Sequence, residues 1–467
     1  MDELPYFRRM KRCIGLLALL ACSAWGAAQW SDEDFAQAAA LFEEALGNGE
    51  SYERLRELTK GIGHRLSGSP EADAAMAWGE EVLAANGADS VFVMPVVVPA
   101  WTRGTRCTAS VGGQALRVTA LGGSVPTPND APLTAPCLVV RGIEELAPLP
   151  REDTEGRIIL FNRPMDPLLI NTGAAYGGAV DQRGKGAIAA AKAGGVAALV
   201  RSMTHAYDTI PHTGAMYYEE GVTRVPAAAI STVDARELAH RVAAEPDVEV
   251  TLTMNCRDLG QREQGNVVGV LRGDAFPDRV IALGGHLDSW DIGEGAHDDG
   301  AGVVHTLEAL RLLKAIGYRP RHTMHFVLFI NEENGNRGGK AYAEWAATNE
   351  NGACVVGAME SDAGGLVPRG FSVDASPEHV EWLQAQLPYL EPYGLNSSRN
   401  GWAGVDISPL KTQEPRPLLI GLLPDGQRYF DYHHSARDVF ENVHKRELEL
   451  GAASCALMMV MMDQYLD

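Results

Sequence analysis

The stretch that most constrains this chain runs from residue 281 to 302 and reads IALGGHLDSWDIGEGAHDDGAG. The apolar run Val280 to Leu283 leads into this stretch and is followed by two glycines, the pattern of a buried strand that ends at a turn. His286, Asp288 and the pair Asp298–Asp299 follow directly. Ligands of open α/β sheets bind beyond the carboxyl ends of strands. Imidazole and carboxylate groups at such a place indicate a divalent-metal site, although the same residues also suit an acidic turn.

A second strand-like run favours the metal site over the turn. Thr323 to Ile330 reads TMHFVLFI and is followed at once by Glu332 and Glu333. Two adjacent carboxylates repel each other, so their presence at the end of a buried strand needs a compensating charge. A pair of cations bridged by Asp298 would supply that charge.

Two further motifs complete the pattern. The apolar run Cys354 to Met359 ends in ESDAGG, which contains Asp362, and the motif YHHSARD near the C-terminus contains His434. Three strand-like runs therefore end in acidic residues, and a histidine pair follows them in the chain. The four motifs together predict one site.

The ordered set GHLDSWD, HDDGAG, NEE, ESDAGG and HHSxxD resembles the family 28 zinc metallopeptidases, and within them the carboxypeptidase Q (plasma glutamate carboxypeptidase) branch. The likeness extends from about Ser51 to the C-terminus and includes the segments SYERLRELTKGIGHRLSGSPEA and IPHTGAMYYEEGV. It implies an α/β fold of the zinc-exopeptidase (phosphorylase/hydrolase-like) type. The expected catalytic domain has three αβα layers around a mixed sheet, with an inserted protease-associated domain.

The resemblance also implies a role for each site residue. It implies two zinc ions per chain, held by five side chains: His286 and Asp362 at one ion, Glu333 and His434 at the other, and Asp298 between them. Glu332 would be the general base that moves a proton from the attacking water to the leaving amine. Asp288 would hydrogen-bond the far nitrogen of His286 and fix its tautomer. The family often has a cis peptide after the bridging aspartate.

Other catalytic patterns are missing from the sequence. It contains neither the HExxH motif of single-zinc proteases nor the GxSxG nucleophile elbow. Two alternatives stay open: another amide hydrolase or acyl-cyclising enzyme on the same scaffold, and a non-catalytic receptor-like protein. The second is disfavoured because every ligand position of the family is filled. The chain departs from the usual family wording at Asp438-Val439 and at His297, which bears on substrate detail.

Length and proline content predict the domain organisation. The 467 residues allow two or three domains. A segment with four prolines, VPTPNDAPLTAP at residues 125–136, predicts a boundary. We therefore expect a signal peptide at 1–28, a catalytic domain formed by 29–125 and 257–467, and the protease-associated insert at 126–256. That insert is expected to cover the active site or shape its substrate pocket.

Residues 10–28, MKRCIGLLALLACSAWGAA, are typical of an export signal. The basic start precedes an apolar segment, Ile14 to Ala21, that is too short to span a bilayer. Cleavage after Ala28 predicts a periplasmic or secreted protein. A lipobox-like reading of LLAC, which would attach a lipid to Cys22, remains the alternative.

The net charge bears on the class of binding partner, and the cysteine spacing bears on disulfides and metal sites. The net charge of −21 argues against nucleic-acid binding. The expected partner is a short peptide substrate, with no membrane span and a homodimer implied by the resemblance. The five cysteines beyond residue 28 show no metal-binding spacing, so we predict buried thiols and no disulfide framework.

Several other residues receive local predictions. Residues 31–47 are expected to form a helix with Ser31 as its N-cap, and Pro95 predicts an edge or a bulge in the strand Ser90 to Pro99. Among residues near the motifs, His297 is expected to be an exposed neighbour, while His305 and Asp406 are expected to be structural. His212, in PHTG, is expected to be a polar loop residue that can reach substrate.

Overall fold

Two eight-stranded sheets organise residues 30–348 and 354–466, which are the part of the chain that the computed structural model describes. The predicted signal segment and Cys22 lie outside the described residues. The strands in chain order are β1 (Ser90–Thr102), β2 (Cys107–Val111), β3 (Gln114–Leu116), β4 (Val118–Ala120), β5 (Leu133–Val140), β6 (Ile158–Phe161), β7 (Ala197–Arg201), β8 (Ala227–Ile230), β9 (Glu249–Met254), β10 (Arg257–Leu271), β11 (Phe276–His286), β12 (His322–Phe329), β13 (Cys354–Glu360), β14 (Pro368–Asp374), β15 (Ser397–Asn400) and β16 (Leu418–Pro424).

The helices connect and cover these strands. The α-helices are Asp32–Asn48, Ser51–Arg56, Pro70–Ala85, Ile143–Leu146, Arg151–Thr154, Thr172–Gly177, Asp181–Lys192, Thr232–Ala244, Ala301–Ala315, Arg337–Ala347, Pro377–Leu390, Tyr429–Tyr432 and Lys445–Tyr465. Short π turns span Glu57–Ile62 and Ala296–Gly300. Within the described residues, no helix is both long and apolar enough to cross a bilayer.

The first sheet has the strand order β1-β10-β12-β11-β13-β16-β14-β15. Its centre is parallel, because β11 pairs in parallel with β12 and β13, and β13 pairs in parallel with β16. Every residue of β12 is buried, which explains its unbroken apolar sequence, since a strand covered on both faces shows no alternation. The carboxyl ends of four neighbouring strands therefore lie along one edge.

Helices cover both faces of this sheet. Ile281 and Leu283 of β11 pack in one core cluster with the helices Ala301–Ala315 and Lys445–Tyr465. Their neighbours Val280 and Ala282 pack on the opposite face, in a cluster with Tyr342 of the helix Arg337–Ala347. This alternation follows from the period of two along a strand. The predicted three-layer αβα catalytic domain with a mixed sheet is confirmed.

The second sheet has the order β3-β2-β9-β5-β6-β7-β8-β4. Its parallel centre, β5 to β8, has its own buried core. Its strands β2, β3 and β4 come from residues 107–120, ahead of the proline-rich segment at which the sequence placed the boundary. The second sheet and the helices between its strands are called the second sheet's unit below. The proline-rich segment lies inside this unit, where it follows β4 and leads into β5.

Local features agree with the sequence where the side-chain chemistry is specific. Ser31 caps the helix Asp32–Asn48 through its hydroxyl, which accepts from the backbone N–H of Asp34. β1 is an edge strand with a bulge at Ala100/Trp101, five residues after Pro95. The five cysteines of the described residues are free thiols.

Candidate metal centre

Four parallel strands bring the predicted site residues together. His286 is the last residue of β11, and Glu332 and Glu333 follow β12. Asp362 follows β13 by two residues, and His434 follows the short helix after β16. Since the carboxyl ends of parallel strands meet at one edge, residues nearly 150 positions apart in the chain converge.

Asp298 lies between two groups of these side chains. Its Oδ1 is 3.3 Å from His286 Nε2, which in turn is 3.7 Å from Asp362 Oδ1. Its Oδ2 is 3.2 Å from His434 Nε2, which is 3.0 Å from Glu333 Oε2. Each oxygen of one carboxylate thus faces a different histidine–carboxylate pair. The peptide bond after Asp298 is cis, as the resemblance implied.

The donor atoms fit zinc. Tetrahedral zinc with bonds of about 2.0–2.2 Å to nitrogen and oxygen separates neighbouring ligand atoms by about 3.3–3.6 Å. The four ligand–ligand distances above fall at or near that spacing. Four donor atoms of the set are also buried without a hydrogen-bond partner among the described residues: His286 Nε2, Asp298 Oδ2, Glu333 Oε1 and Asp362 Oδ1. Buried polar atoms are normally paired, so this cluster fits cations.

Electrostatics lead to the same conclusion. Burial, reinforced by Asp298, raises the pKa of Glu333 to about 7, although His434 opposes the shift. Burial also raises the pKa of Glu332 well above its ordinary value, and Asp362 and Glu333 add to the effect while His286 opposes it. Desolvation and like charges both disfavour ionised carboxylates. Bound cations would relieve both costs.

The residues around His286 fix its backbone and ring. Asp299 accepts hydrogen bonds from the backbone N–H of His286 (3.0 Å) and of Gly302 (2.9 Å). A Cβ at Gly302 would lie 1.8 Å from the carbonyl oxygen of Ser361 and 2.3 Å from Asp299, so the close approach requires glycine.

Asp288 supports both glutamates as well as His286. Nδ1 of His286 lies 2.9 Å from the backbone oxygen of Asp288, whereas the Asp288 carboxylate, the predicted partner, is 3.9 Å away. That carboxylate instead accepts from the backbone N–H groups of Glu332 and Glu333. The expected fixing of the His286 tautomer therefore comes from a main-chain carbonyl.

The prediction that His297 is exposed is wrong. The residue is fully buried, its ring stacks on Tyr432, and its Nδ1 accepts from the backbone N–H of Gly365. Burial lowers the pKa of His297 to about 4. Sequence proximity to Asp298 gave no information on the direction of the side chain.

Two supporting residues received no role from the sequence. Asp438 accepts from the backbone N–H of His297 (2.6 Å) and of Asp298 (3.1 Å), and so fixes the bridging residue. Arg65 is fully buried and donates to the carbonyl oxygens of Leu287, Gly63, Glu294 and Gly295, which holds the loop after β11. The sequence offered one signal for each residue. Asp438 is the aspartate of the HHSxxD motif, and Arg65 lies in the segment GHRLSG.

The second sheet's unit contacts the histidine pair directly. The backbone N–H of Thr213 donates to the carbonyl of His434 (2.8 Å), and Nδ1 of His212 lies 2.7 Å from the carbonyl of His433. The buried Arg183 places Nη1 3.2 Å from Nδ1 of His434. His434 itself has a left-handed backbone, with φ of 58°. His212, predicted as a polar loop residue, is therefore buried and holds the histidine loop.

Comparison with known proteins identifies the family. A family model described as Peptidase family M28 matches residues 266–459, which include every predicted ligand. Carboxypeptidase Q of Bos taurus is 32% identical over 410 residues, covering 87% of this chain and 84% of that protein. Carboxypeptidase Q of Xenopus laevis is 34% identical over 391 residues, covering 83% and 80%. The chain belongs to peptidase family M28.

Solved structures of related peptidases have the same fold as this chain. An M28 peptidase precursor from Shewanella amazonensis SB2B has a TM-score of 0.86 and 31% identity, covering 92% of this chain and 97% of that one. A zinc aminopeptidase from Bacillus subtilis, at 20% identity, shares the fold with a TM-score of 0.65 and covers 88% and 94%. This M28 peptidase is accordingly a zinc metallopeptidase similar to carboxypeptidase Q, which confirms the predicted family and enzyme class.

Proposed function

We propose that this M28 peptidase is an exported exopeptidase or dipeptidase that hydrolyses short peptides with two zinc ions and Glu332 as general base. The observation that carries the proposal is the position of Asp298, whose two oxygens face two different histidine–carboxylate pairs. One carboxylate shared in this way suits a pair of ions about 3.5–4 Å apart. His286 and Asp362 would hold one ion, and Glu333 and His434 the other.

Zinc, when bound, supplies polarisation of the scissile carbonyl and a lower pKa for the attacking water. The side chains of the protein move the proton between the attacking water and the leaving amine. Oε2 of Glu332 lies 4.0 Å from Nε2 of His286 and makes none of the close contacts that the five proposed ligands make. Its buried position raises its pKa, which makes its carboxylate a stronger base than an exposed one. Glu332 would accept the water proton and deliver it to the leaving amine.

A cleft lies on the side of the site that holds Glu333 and His434. It is lined by Trp290, Gly293, Gly295, Asp298, Glu333, His434, Ser435 and Asp438. The substrate would approach the proposed ligands through this cleft.

The second sheet's unit is the natural candidate for the protease-associated insert. It includes strands from residues 107 to 254, and His212, Thr213 and Arg183 bring it against the histidine pair. We propose that it forms one wall of the substrate pocket. Export and a homodimer stay predictions from the sequence.

Removal of metal gives the direct test of the proposed function. Dialysis against a chelator is expected to abolish dipeptide hydrolysis, and zinc is expected to restore it as the content rises to about two ions per chain. Metal analysis and a dipeptide assay, run with N-blocked and C-amidated peptides, check the proposal and identify the terminus that is recognised. Full zinc content without turnover of any peptide would instead favour the other amide chemistries.

Replacing Arg183 with Met tests the contact behind His434. Nε2 of His434 faces the proposed ligands, so Nδ1 carries the ring hydrogen and donates it to the carbonyl oxygen of Thr213 at 3.3 Å. Arg183 then places a positive charge beside the ring and makes no hydrogen bond to Nδ1, so its loss is expected to raise the zinc affinity at the site of His434, measured by competition with a chromogenic chelator, while the other affinity is unchanged. Lys185→Met, at an exposed position of the same helix, is the matched control. An equal change at both sites would contradict a local role for Arg183.

A further inference from the structure

His433 is a histidine of the centre to which neither the sequence motifs nor the proposed ligand set assigns a role. Its side chain is 10% exposed, and its Nε2 lies 3.6 Å from Asp298 Oδ2. Within residues 30–348 and 354–466, neither ring nitrogen has a hydrogen-bond partner. A ring whose nitrogens make no hydrogen bond, at the edge of a metal centre, is available to bind a group that enters the site.

The His433 ring is held in a fixed orientation. Its backbone carbonyl lies 2.7 Å from His212 Nδ1. Three aromatic rings surround its imidazole: Tyr176 at 5.2 Å and 84°, Tyr429 at 5.2 Å, and Phe430 at 5.1 Å. A donor that is fixed in advance costs little reorganisation when charge develops beside it.

Stacking separates His433 from the metal-ligand set. The rings of His433 and His434 lie 3.6 Å apart, centroid to centroid, with 16° between their planes. An imidazole nitrogen directs its lone pair or its hydrogen in the ring plane, so these two rings point along nearly parallel lines. An ion in the plane of His434 therefore cannot lie in the plane of His433. The two histidines cannot share one ion in good geometry.

The direction of the ring indicates what it does reach. Both Nε2 atoms approach the same oxygen of Asp298, at 3.2 Å for His434 and 3.6 Å for His433, so the rings point the same way. His433 thus points alongside the bridging carboxylate, into the space next to the proposed ligands.

We propose that His433 is a catalytic residue whose Nε2–H donates a hydrogen bond to the carbonyl oxygen of the scissile peptide bond as negative charge develops on it. The proposal rests on peptide hydrolysis as the proposed function. Neutral imidazole offers one N–H donor, and no proton leaves His433 in this role. Removing one such donor typically lowers kcat about 10²–10³-fold.

Two substitutions test the role. His433→Phe keeps an aromatic ring without a donor, and His433→Gln keeps a donor. The half-exposed His379→Phe is the control. We expect His433→Phe to keep the wild-type zinc content and a KM within about threefold, with kcat lowered about 10²–10³-fold. His433→Gln should recover part of the loss.

A phosphinic dipeptide analogue, whose tetrahedral phosphorus group mimics the attacked carbonyl, gives a second readout. Its affinity should fall across the variants in parallel with kcat/KM. Loss of one zinc ion in both variants would make His433 a ligand and overturn the proposal, as would an unchanged kcat or a rise in KM alone. Failure of the wild-type protein to hydrolyse any peptide would instead refute the proposed function, and the role of His433 with it.

Discussion

Replacing Glu332 with Gln is expected to leave two zinc ions bound and to lower kcat about 10²–10⁴-fold, the usual contribution of a general base. Gln has nearly the shape of Glu but cannot accept the water proton. Glu332 makes none of the close contacts of the proposed ligands, and its Oε2 lies 4.0 Å from Nε2 of His286. Its loss should therefore leave the ligand set complete.

Three measurements on the purified protein check this expectation. Zinc analysis should give wild-type content, the dipeptide assay should give the loss in kcat, and the phosphinic analogue should still bind. Glu344→Gln, in the helix Arg337–Ala347, is a control with the same chemical change away from the centre. A variant that loses one ion would identify Glu332 as a ligand, and a variant with normal turnover would remove it from the mechanism.

Much of the catalytic fold could be predicted because its signals are local. Continuous apolar runs such as Thr323 to Ile330 predict strands buried on both faces, and acidic residues directly after them predict the functional edge of the sheet. The motif order then indicates which side chains meet. His286, Glu333, Asp362 and His434 do converge on Asp298 in the structure.

The parts that the sequence did not reveal depend on contacts between distant segments. Arg65 and Asp438 act by hydrogen-bonding main-chain groups, and such partners leave no spacing pattern in the chain. The second sheet recruits residues 107–120 from ahead of a proline-rich segment, because strand pairing is decided by the whole sheet rather than by local composition. The role proposed for His433 rests on the angle between its ring and that of His434, which the sequence cannot give.

The exchange of Asp298 is expected to have the largest effect on metal content. Asp298→Ala removes both bridging oxygens, so neither ion keeps its full ligand set, and zinc content and turnover should both fall to background. Asp298→Asn retains one carbonyl oxygen and replaces the other with an NH₂ group, which cannot bind a cation. We therefore expect about one ion per chain in the Asn variant, because zinc sites use close to four ligands.

Thermal unfolding with and without zinc distinguishes lost binding from lost folding. A ligand that binds only the folded state raises stability by about 2.7 kcal/mol at a concentration 100-fold above its Kd. The wild-type protein should therefore gain Tm with zinc, Asp298→Asn should gain less, and Asp298→Ala should gain nothing. Asp274→Asn, a largely exposed carboxylate paired with Arg319, should behave as wild type. Two bound ions in Asp298→Ala would show that neither zinc site needs the Asp298 carboxylate. That result would contradict the proposed bridging role of Asp298.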